Sequence, residues 1–193
     1  MPLGAYQTNC YLLWQEGQDS CLVIDPGYAP ETVLEKAEAL NLKIGAILLT
    51  HGHFDHVGAV KVLAEKTRCK VYICQEELSM PQQFTAGPLY YTHTYGEGST
   101  LQEAGISLRV LHTPGHTPGS VCLLAEDVLF SGDTLFAGSC GRTDLPGGDW
   151  ATICNSLARL AKLQGNFTVC PGHGPETELD FEKQTNPYLK GKL

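Results

Sequence analysis

Apolar and polar positions fall into blocks along the chain, and the period changes from block to block. Residues 10–15 and 21–25 are short apolar runs separated by the polar turn E-G-Q-D-S, and Asp25-Pro26-Gly27 stops the second, so the spacing predicts an N-terminal hairpin. Val33, Leu34, Ala37 and Leu40 then recur at helical spacing over 30–40, with Pro30 suited to the first turn. An apolar strand over 44–50, a helix over 57–66 and a strand over 70–74 follow, completing two strand–helix passages of the kind that build a layered sheet. Further strands are predicted over 107–111, 120–124 and 128–130. Ile153, Leu157, Leu160 and Ala161 make one stripe of a helix over 150–164, with Asp149 as its N-cap and Gly165 as its stop. A final strand over 167–170 leads into Pro171-Gly172-His173-Gly174, and the polar tail beyond reads as a short surface helix. The stretch 81–100, rich in Gly, Pro and Tyr, reads as a long loop able to cover a site. No fixed-period repeat interrupts this order, and the mixture predicts an α/β or α+β chain rather than an all-β one.

Composition narrows the class. A chain of 193 residues, 42% hydrophobic and 18% charged, is long enough to bury a substantial core, and one domain over 1–193 is expected. The net charge of −8 matches nucleic acid phosphate poorly, so nucleic acid is not an expected partner. No apolar run approaches the roughly 18 residues of a membrane span, and the first thirty residues lack the layout of a secretion signal; the expected location is cytoplasmic, with no membrane contact. The eight cysteines are scattered and form no C-x-x-C pair, which reads as free thiols packed as small hydrophobes. Cys140, in the loop-like G-S-C-G-R-T-D, has no assigned role on these grounds.

The candidate chemistry lies directly after the apolar strand that ends near Leu49. There T-H-G-H-F-D-H places His51, His53, Asp55 and His56 within six residues, a template with a chance expectation of about 4 in 10,000 for a chain of this composition. Such a loop can present ligands to two neighbouring ions, and imidazole with carboxylate suits zinc, iron or manganese. Closing each coordination shell needs His or carboxylate groups from distant segments. Two strands end in the same turn, T-P-G-His116 and C-P-G-His173, in which Pro fixes φ and Gly permits positive φ, aiming the next side chain off the sheet edge. Asp133, in F-S-G-D-T, is placed the same way, and its two oxygens can bridge two cations.

In this order, H-x-H-x-D-H, T-P-G-H-T-P-G, S-G-D and P-G-H-G resemble the metallo-β-lactamase superfamily, over residues 9 to 174. The resemblance implies a four-layer αββα sandwich of two mixed sheets flanked by helices, with metals at one edge. It assigns His51, His53 and His116 to one metal, Asp55, His56 and His173 to a second, and Asp133 to the bridge. It implies two divalent ions per chain, zinc foremost, with iron or manganese as alternatives. Asp133 is similar to the glyoxalase II branch, since β-lactam hydrolases commonly have Cys or Ser there; T-N-C-Y-L-L and G-R-T-D-L-P-G-G-D resemble short bacterial members of that branch. The C-terminal helical extension that carries much of the glutathione site in glyoxalase II is not expected here.

The activity so implied is hydrolysis of a thioester, S-lactoylglutathione or a related hydroxyacyl thioester, by a hydroxide bridging the metals and oriented by Asp55. Two cations lower the pKa of a trapped water from about 15.7 to near 7, and a thiolate leaves without much acid help because its thiol pKa is about 8.5. The small-molecule thioester is the expected partner. Arg142 lies where a basic residue of the family meets glutathione; an exposed or Asp144-paired arginine is an equal reading. Tyr90, Tyr91 and His93 are candidates to line the pocket, with loop packing as the alternative. His112 fits no ligand position and reads as structural or as a support behind the ligands; Asp25 reads as a turn residue, with a supporting contact as the alternative, and Asp144 as a loop residue. A second activity uses the same residues: persulfide dioxygenases resemble this chain in G-R-T-D and hold one iron through positions matching His51, His116 and Asp133.

Overall fold

The computed structural model describes residues 1–85 and 87–190, and Ala86 of the 81–100 stretch lies outside them. A short hairpin, β1 (Pro2–Leu3) and β2 (Thr8–Asn9), opens the chain. The first sheet contains β3 (Tyr11–Trp14), β4 (Ser20–Ile24), β5 (Lys43–Leu48), β6 (Lys70–Cys74) and β7 (His93–Tyr95) in that order, β3 antiparallel to β4 and the others parallel. Helices α1 (Pro30–Ala39), α2 (Phe54–Val57) and α3 (Val60–Thr67) lie in its crossovers. The second sheet is built from β8 (Thr100–Glu103), β9 (Ile106–His112), β10 (Val121–Ala125) and β11 (Val128–Gly132). After the ribbon β12 (Leu135–Phe136) and β13 (Ser139–Cys140) and helix α4 (Trp150–Ala161), β14 (Thr168–Pro171) and β15 (Thr177–Glu178) complete it. Helix α5 (Leu179–Thr185) follows.

Strand periodicity sorts the core into three slabs, and three slabs need four layers. Cys21, Val23, Ile47, Leu49, Val71 and Ile73 face Val33, Ala37, Val60 and Leu63 of α1 and α3. Their neighbours one residue along, Leu22, Ile24, Ala46, Leu48, Tyr72 and Cys74, face Leu108, Val110, Val121, Leu123 and Phe130 of the other sheet. Leu111, Cys122, Leu129 and Val169 turn outward onto Ile153, Leu157 and Leu160 of α4. Because side chains alternate across a strand, a sheet buried on both faces must be apolar at nearly every position, which is what the unbroken runs C-L-V-I and A-I-L-L supply. Each fully buried Leu or Ile contributes about 1.5–3 kcal/mol. Asp149 caps α4 as expected, accepting from the Thr152 amide at 2.7 Å.

Two elements differ from the sequence expectation. The helix over 57–66 is two pieces: α2 is one turn that begins earlier, at Phe54, and helical hydrogen bonding breaks before α3, where the Ala59 amide donates to the Pro26 carbonyl at 3.0 Å and a Cβ on Gly58 would lie 2.4 Å from the Gly27 carbonyl oxygen. The 81–100 stretch is not loop throughout, since β7 adds an edge strand to the first sheet through register with β6. Among the described residues, no helix is long and apolar enough to cross a membrane.

Candidate metal centre

Strands β9, β11 and β14 run the same way, and their C-terminal ends deliver His116, Asp133 and His173 to one edge of the sandwich. The chain leaving β5 reaches that edge from the other sheet. His51 and His53, two apart on extended backbone, present the same side, and the single turn of α2 carries Asp55 and His56 beside them. Ring nitrogens of His51, His53 and His116 lie within 4.8 Å of one another, and ligand atoms of Asp55, His56 and His173 form a second such group. Asp133 faces both: Oδ2 is 3.4 Å from His116 Nε2 and 3.6 Å from His173 Nε2, and Oδ1 is 3.5 Å from His56 Nε2. All seven predicted ligand candidates therefore converge.

The hydrogen bonds fit the cluster to hold cations. His51 Nε2, His53 Nε2, His56 Nε2 and Asp133 Oδ1 are buried with no hydrogen-bond partner, a concentration that an all-protein core does not sustain. Three Nδ1 atoms are anchored on the protein, His116 on the Arg142 carbonyl at 2.7 Å, His173 on the Tyr6 carbonyl at 3.2 Å and His56 on Asp25 at 3.0 Å, while His53 Nδ1 lies 2.9 Å from His116 Nε2. Anchoring one nitrogen fixes which one is offered to a metal. Burial, reinforced by the neighbouring imidazoles, pushes His51 and His53 down and keeps them in the neutral form that ligates. For His56, burial acts downward but Asp133 and Asp25 outweigh it and hold the imidazole up; for His173 the hydrogen bond to Asp55 does the same. A cation bound among these carboxylates would replace those protons.

The two Pro-Gly-His turns reach the same result differently. Gly115 has φ +129°, as the sequence predicts, but Gly172 has negative φ, and space is its requirement: a Cβ there would lie 2.1 Å from Asp133 Oδ1 and 2.7 Å from His56 Cε1.

The supports of this site are the residues that sequence reasoning missed. Asp25, read first as a turn residue and only second as a support, is buried; it accepts from the Thr50 amide at 2.8 Å and hydroxyl at 2.6 Å, besides facing His56. Thr8 donates to Asp55 Oδ2 at 2.9 Å, and Asn9 grips the carbonyls of Pro171 and Gly174 at 3.0 and 2.9 Å, giving T-N-C-Y-L-L a physical role. Glu77 is fully buried, and burial raises its pKa. Its carboxylate accepts from the Gly52 amide at 2.6 Å and the Gly119 amide at 2.7 Å, joining the loop that carries His51 and His53 to the loop that carries His116. Glu77→Ala is expected to orphan both donors and cost about 1–3 kcal/mol for each, read as a lowered urea midpoint; an unchanged midpoint would rule out the clamp.

Above the cluster opens a cleft of about 560 Å³ with Tyr6, Phe54, Phe84, Phe136 and Leu145 on its walls and Cys140 and Arg142 at its rim. Arg142 lines the cleft, and its exposed guanidinium makes a two-pronged pair with Asp144 at 2.7 and 2.6 Å, as one of its two readings has it. Tyr90 and Tyr91 are corrected: Tyr90 packs against the slab between the first sheet and its helices, and Tyr91 lines a separate shallow pocket with Leu78 and Met80, because β7 draws this part of the chain away from the cleft. His93 lies on exposed β7 against Tyr72. Among the described residues of the 81–100 stretch, Phe84 lines the cleft.

The metallo-beta-lactamase superfamily model matches residues 3–173. The chain belongs to this superfamily. Its members are metal-dependent hydrolases, and the superfamily together with the His/Asp cluster implies divalent metals here. A similar curated relative is the hydroxyacylglutathione hydrolase GloC of Haemophilus influenzae, 35% identical over 207 residues that cover 100% of this chain and 97% of the relative. Among solved structures, the BLEG-1 B3 metallo-beta-lactamase superposes with TM-score 0.89 at 37% identity, covering 98% of each chain. TTHA1623, solved in a di-iron-bound form, superposes with TM-score 0.87 at 40% identity, covering 97% of this chain and 98% of the other. Membership of the superfamily accounts for the αββα layering and for the site's place at one edge of it.

Proposed function

We propose that this chain is a hydrolase of hydroxyacyl thioesters, S-lactoylglutathione or a related compound, that works with two divalent ions. The observation that carries the reading is Asp133, whose carboxylate faces the His51–His53–His116 group and the Asp55–His56–His173 group at once. Full-length similarity to a hydroxyacylglutathione hydrolase supports the substrate class. Divalent ions held there would supply acidified water, with a pKa near 7, and polarisation of a carbonyl oxygen. The chain's own groups do the rest. His51, His53 and His116 on one side, and Asp55, His56 and His173 on the other, would hold the ions, and Asp133 faces both groups. Asp55, steadied by Thr8, orients the attacking water from the cleft floor. The walls formed by Phe54, Phe84 and Phe136 pack the apolar stems of the substrate and thin the surrounding water. Arg142 at the rim offers its guanidinium to a substrate carboxylate in exchange for Asp144. A thiolate then departs without a dedicated general acid, its thiol pKa being near 8.5.

Three outcomes of one experiment separate this from its competitors. Metal content is measured on protein purified without added metal, beside turnover of S-lactoylglutathione, a chromogenic β-lactam, and glutathione persulfide with oxygen uptake. About two ions per chain with thioester cleavage is the expected result. Turnover of the β-lactam without the thioester would place the activity with that of the B3 neighbour's name. About one iron per chain, with oxygen consumed on the persulfide and no thioester cleaved, would make the chain a mono-iron dioxygenase, for which the same His and Asp donors suffice.

A further inference from the structure

A second group of metal-ligating side chains lies at the same edge of the sandwich, apart from the seven residues above. Cys74 is the last residue of β6, Glu76 sits in the 3-10 turn Gln75–Ser79 that follows, and His112 is the last residue of β9. The strand register explains why they meet. Cys74 shares a face with Tyr72, and His112, paired opposite Val121, shares one with Leu108 and Val110; these are the faces that the two sheets turn toward each other. The Cys74 sulfur, a Glu76 carboxylate oxygen and a His112 ring nitrogen all lie within 4.8 Å of one another. Cys74 Sγ donates to Glu76 Oε2 at 3.0 Å, so sulfur and carboxylate are held in direct contact.

The histidine adds an independent observation. His112 Nε2 is 2.8 Å from the Pro118 carbonyl oxygen, which can only accept, so in the neutral ring the proton sits on Nε2 and the lone pair on Nδ1. Donation of one ring N–H to a backbone carbonyl is the usual way in which a metal-ligating histidine is oriented, and His116 is held on the Arg142 carbonyl in the same manner.

We propose that Cys74, Glu76 and His112 form a further cation site for a thiophilic divalent ion of the Zn²⁺, Co²⁺ or Cd²⁺ class, joining the two sheets beneath the loops that carry the main centre. Thiolate, imidazole and carboxylate are the donor types such ions select, and three protein ligands leave a fourth position open. Binding forms a sulfur–metal bond as the Cys74 proton leaves to solvent. Glu76 is exposed and Cys74 buried, so an ion enters from the solvent side and seats on the sulfur. The site adjoins Glu77, the clamp on Gly52 and Gly119, and so ties β6 to β9 where those loops begin.

The test is titration with Co²⁺, followed by equilibrium dialysis and by near-ultraviolet absorption, which reports thiolate ligation. Wild-type protein is expected to take one equivalent more than Cys74→Ser and to show a thiolate-to-cobalt band that Cys74→Ser lacks. Serine keeps the hydrogen bond to Glu76, so the variant retains the local packing. His112→Gln serves as a second variant and is expected to lose the same equivalent. Cys140→Ser, which removes the thiol at the rim of the main cleft, should leave the band in place. Equal stoichiometry in wild type and Cys74→Ser, or a band that disappears only in Cys140→Ser, would overturn the proposal. The readout is a difference between variants, so it does not depend on how many ions the main centre holds.

Discussion

Asp133→Asn is expected to lower thioester turnover on the order of 10³-fold and to reduce the metal bound per chain, with the far-ultraviolet spectrum unchanged. Asparagine has the same shape, so packing is preserved, but it loses the negative charge and turns an amide donor toward one imidazole group. Asp133 is the carboxylate that faces His116, His173 and His56 together, and one of its oxygens is buried without a protein partner. Removing it withdraws charge at the place where two cations would repel each other most. If the ions contribute about 4 kcal/mol of transition-state stabilisation, its loss corresponds to about three powers of ten in rate. Turnover within tenfold of wild type, at full metal occupancy, would exclude Asp133 as the bridge. Metal analysis and kcat should therefore be taken on the same preparation.

The ligand candidates were legible in the chain because their signal is local. His51, His53, Asp55 and His56 sit in one short run, and His116, Asp133 and His173 each follow a strand and a glycine. The mixture of strands and helices was legible in the periodicity, whereas the four-layer sandwich was implied by the motif resemblance; the structure shows runs such as C-L-V-I and A-I-L-L covered on both faces. What was not legible depends on partners far along the chain. Glu77 meets Gly119 across 42 residues, and Thr8 meets Asp55 across 47, so neither spacing carries a pattern. β7 is three residues long and owes its strand geometry to β6 beside it rather than to its own polar sequence. That pairing is also what sends Tyr90 and Tyr91 away from the cleft. The Pro-Gly-His turns show the limit from the other side: one motif serves twice, once for the φ of Gly115 and once for the space at Gly172.

Asp25 is the sharpest instance, because Asp-Pro-Gly after a strand is an ordinary turn in sequence and a buried support in space. Its two oxygens take the Thr50 amide, the Thr50 hydroxyl and His56 Nδ1, and the same Thr50 hydroxyl lies 3.1 Å from His51 Nδ1. One carboxylate thus orients a histidine of each ligand group without facing the cleft. Asp25→Asn keeps an acceptor for Thr50 but removes the charge opposite His56 and turns an amide donor toward either the imidazole or the hydroxyl. The expected result is a metal affinity about 10–100-fold weaker, with stability lower by about 1–3 kcal/mol. Saturating metal should then restore most of the turnover, which separates a positioning residue from one that touches substrate. Asp19→Asn, at an exposed aspartate paired with Lys43, should leave affinity and turnover unchanged. If Asp25→Asn binds metal as tightly as wild type, the hydrogen bonds to Thr50 and His56 serve the fold alone. A variant that stays inactive at saturating metal would instead place Asp25 in the chemistry.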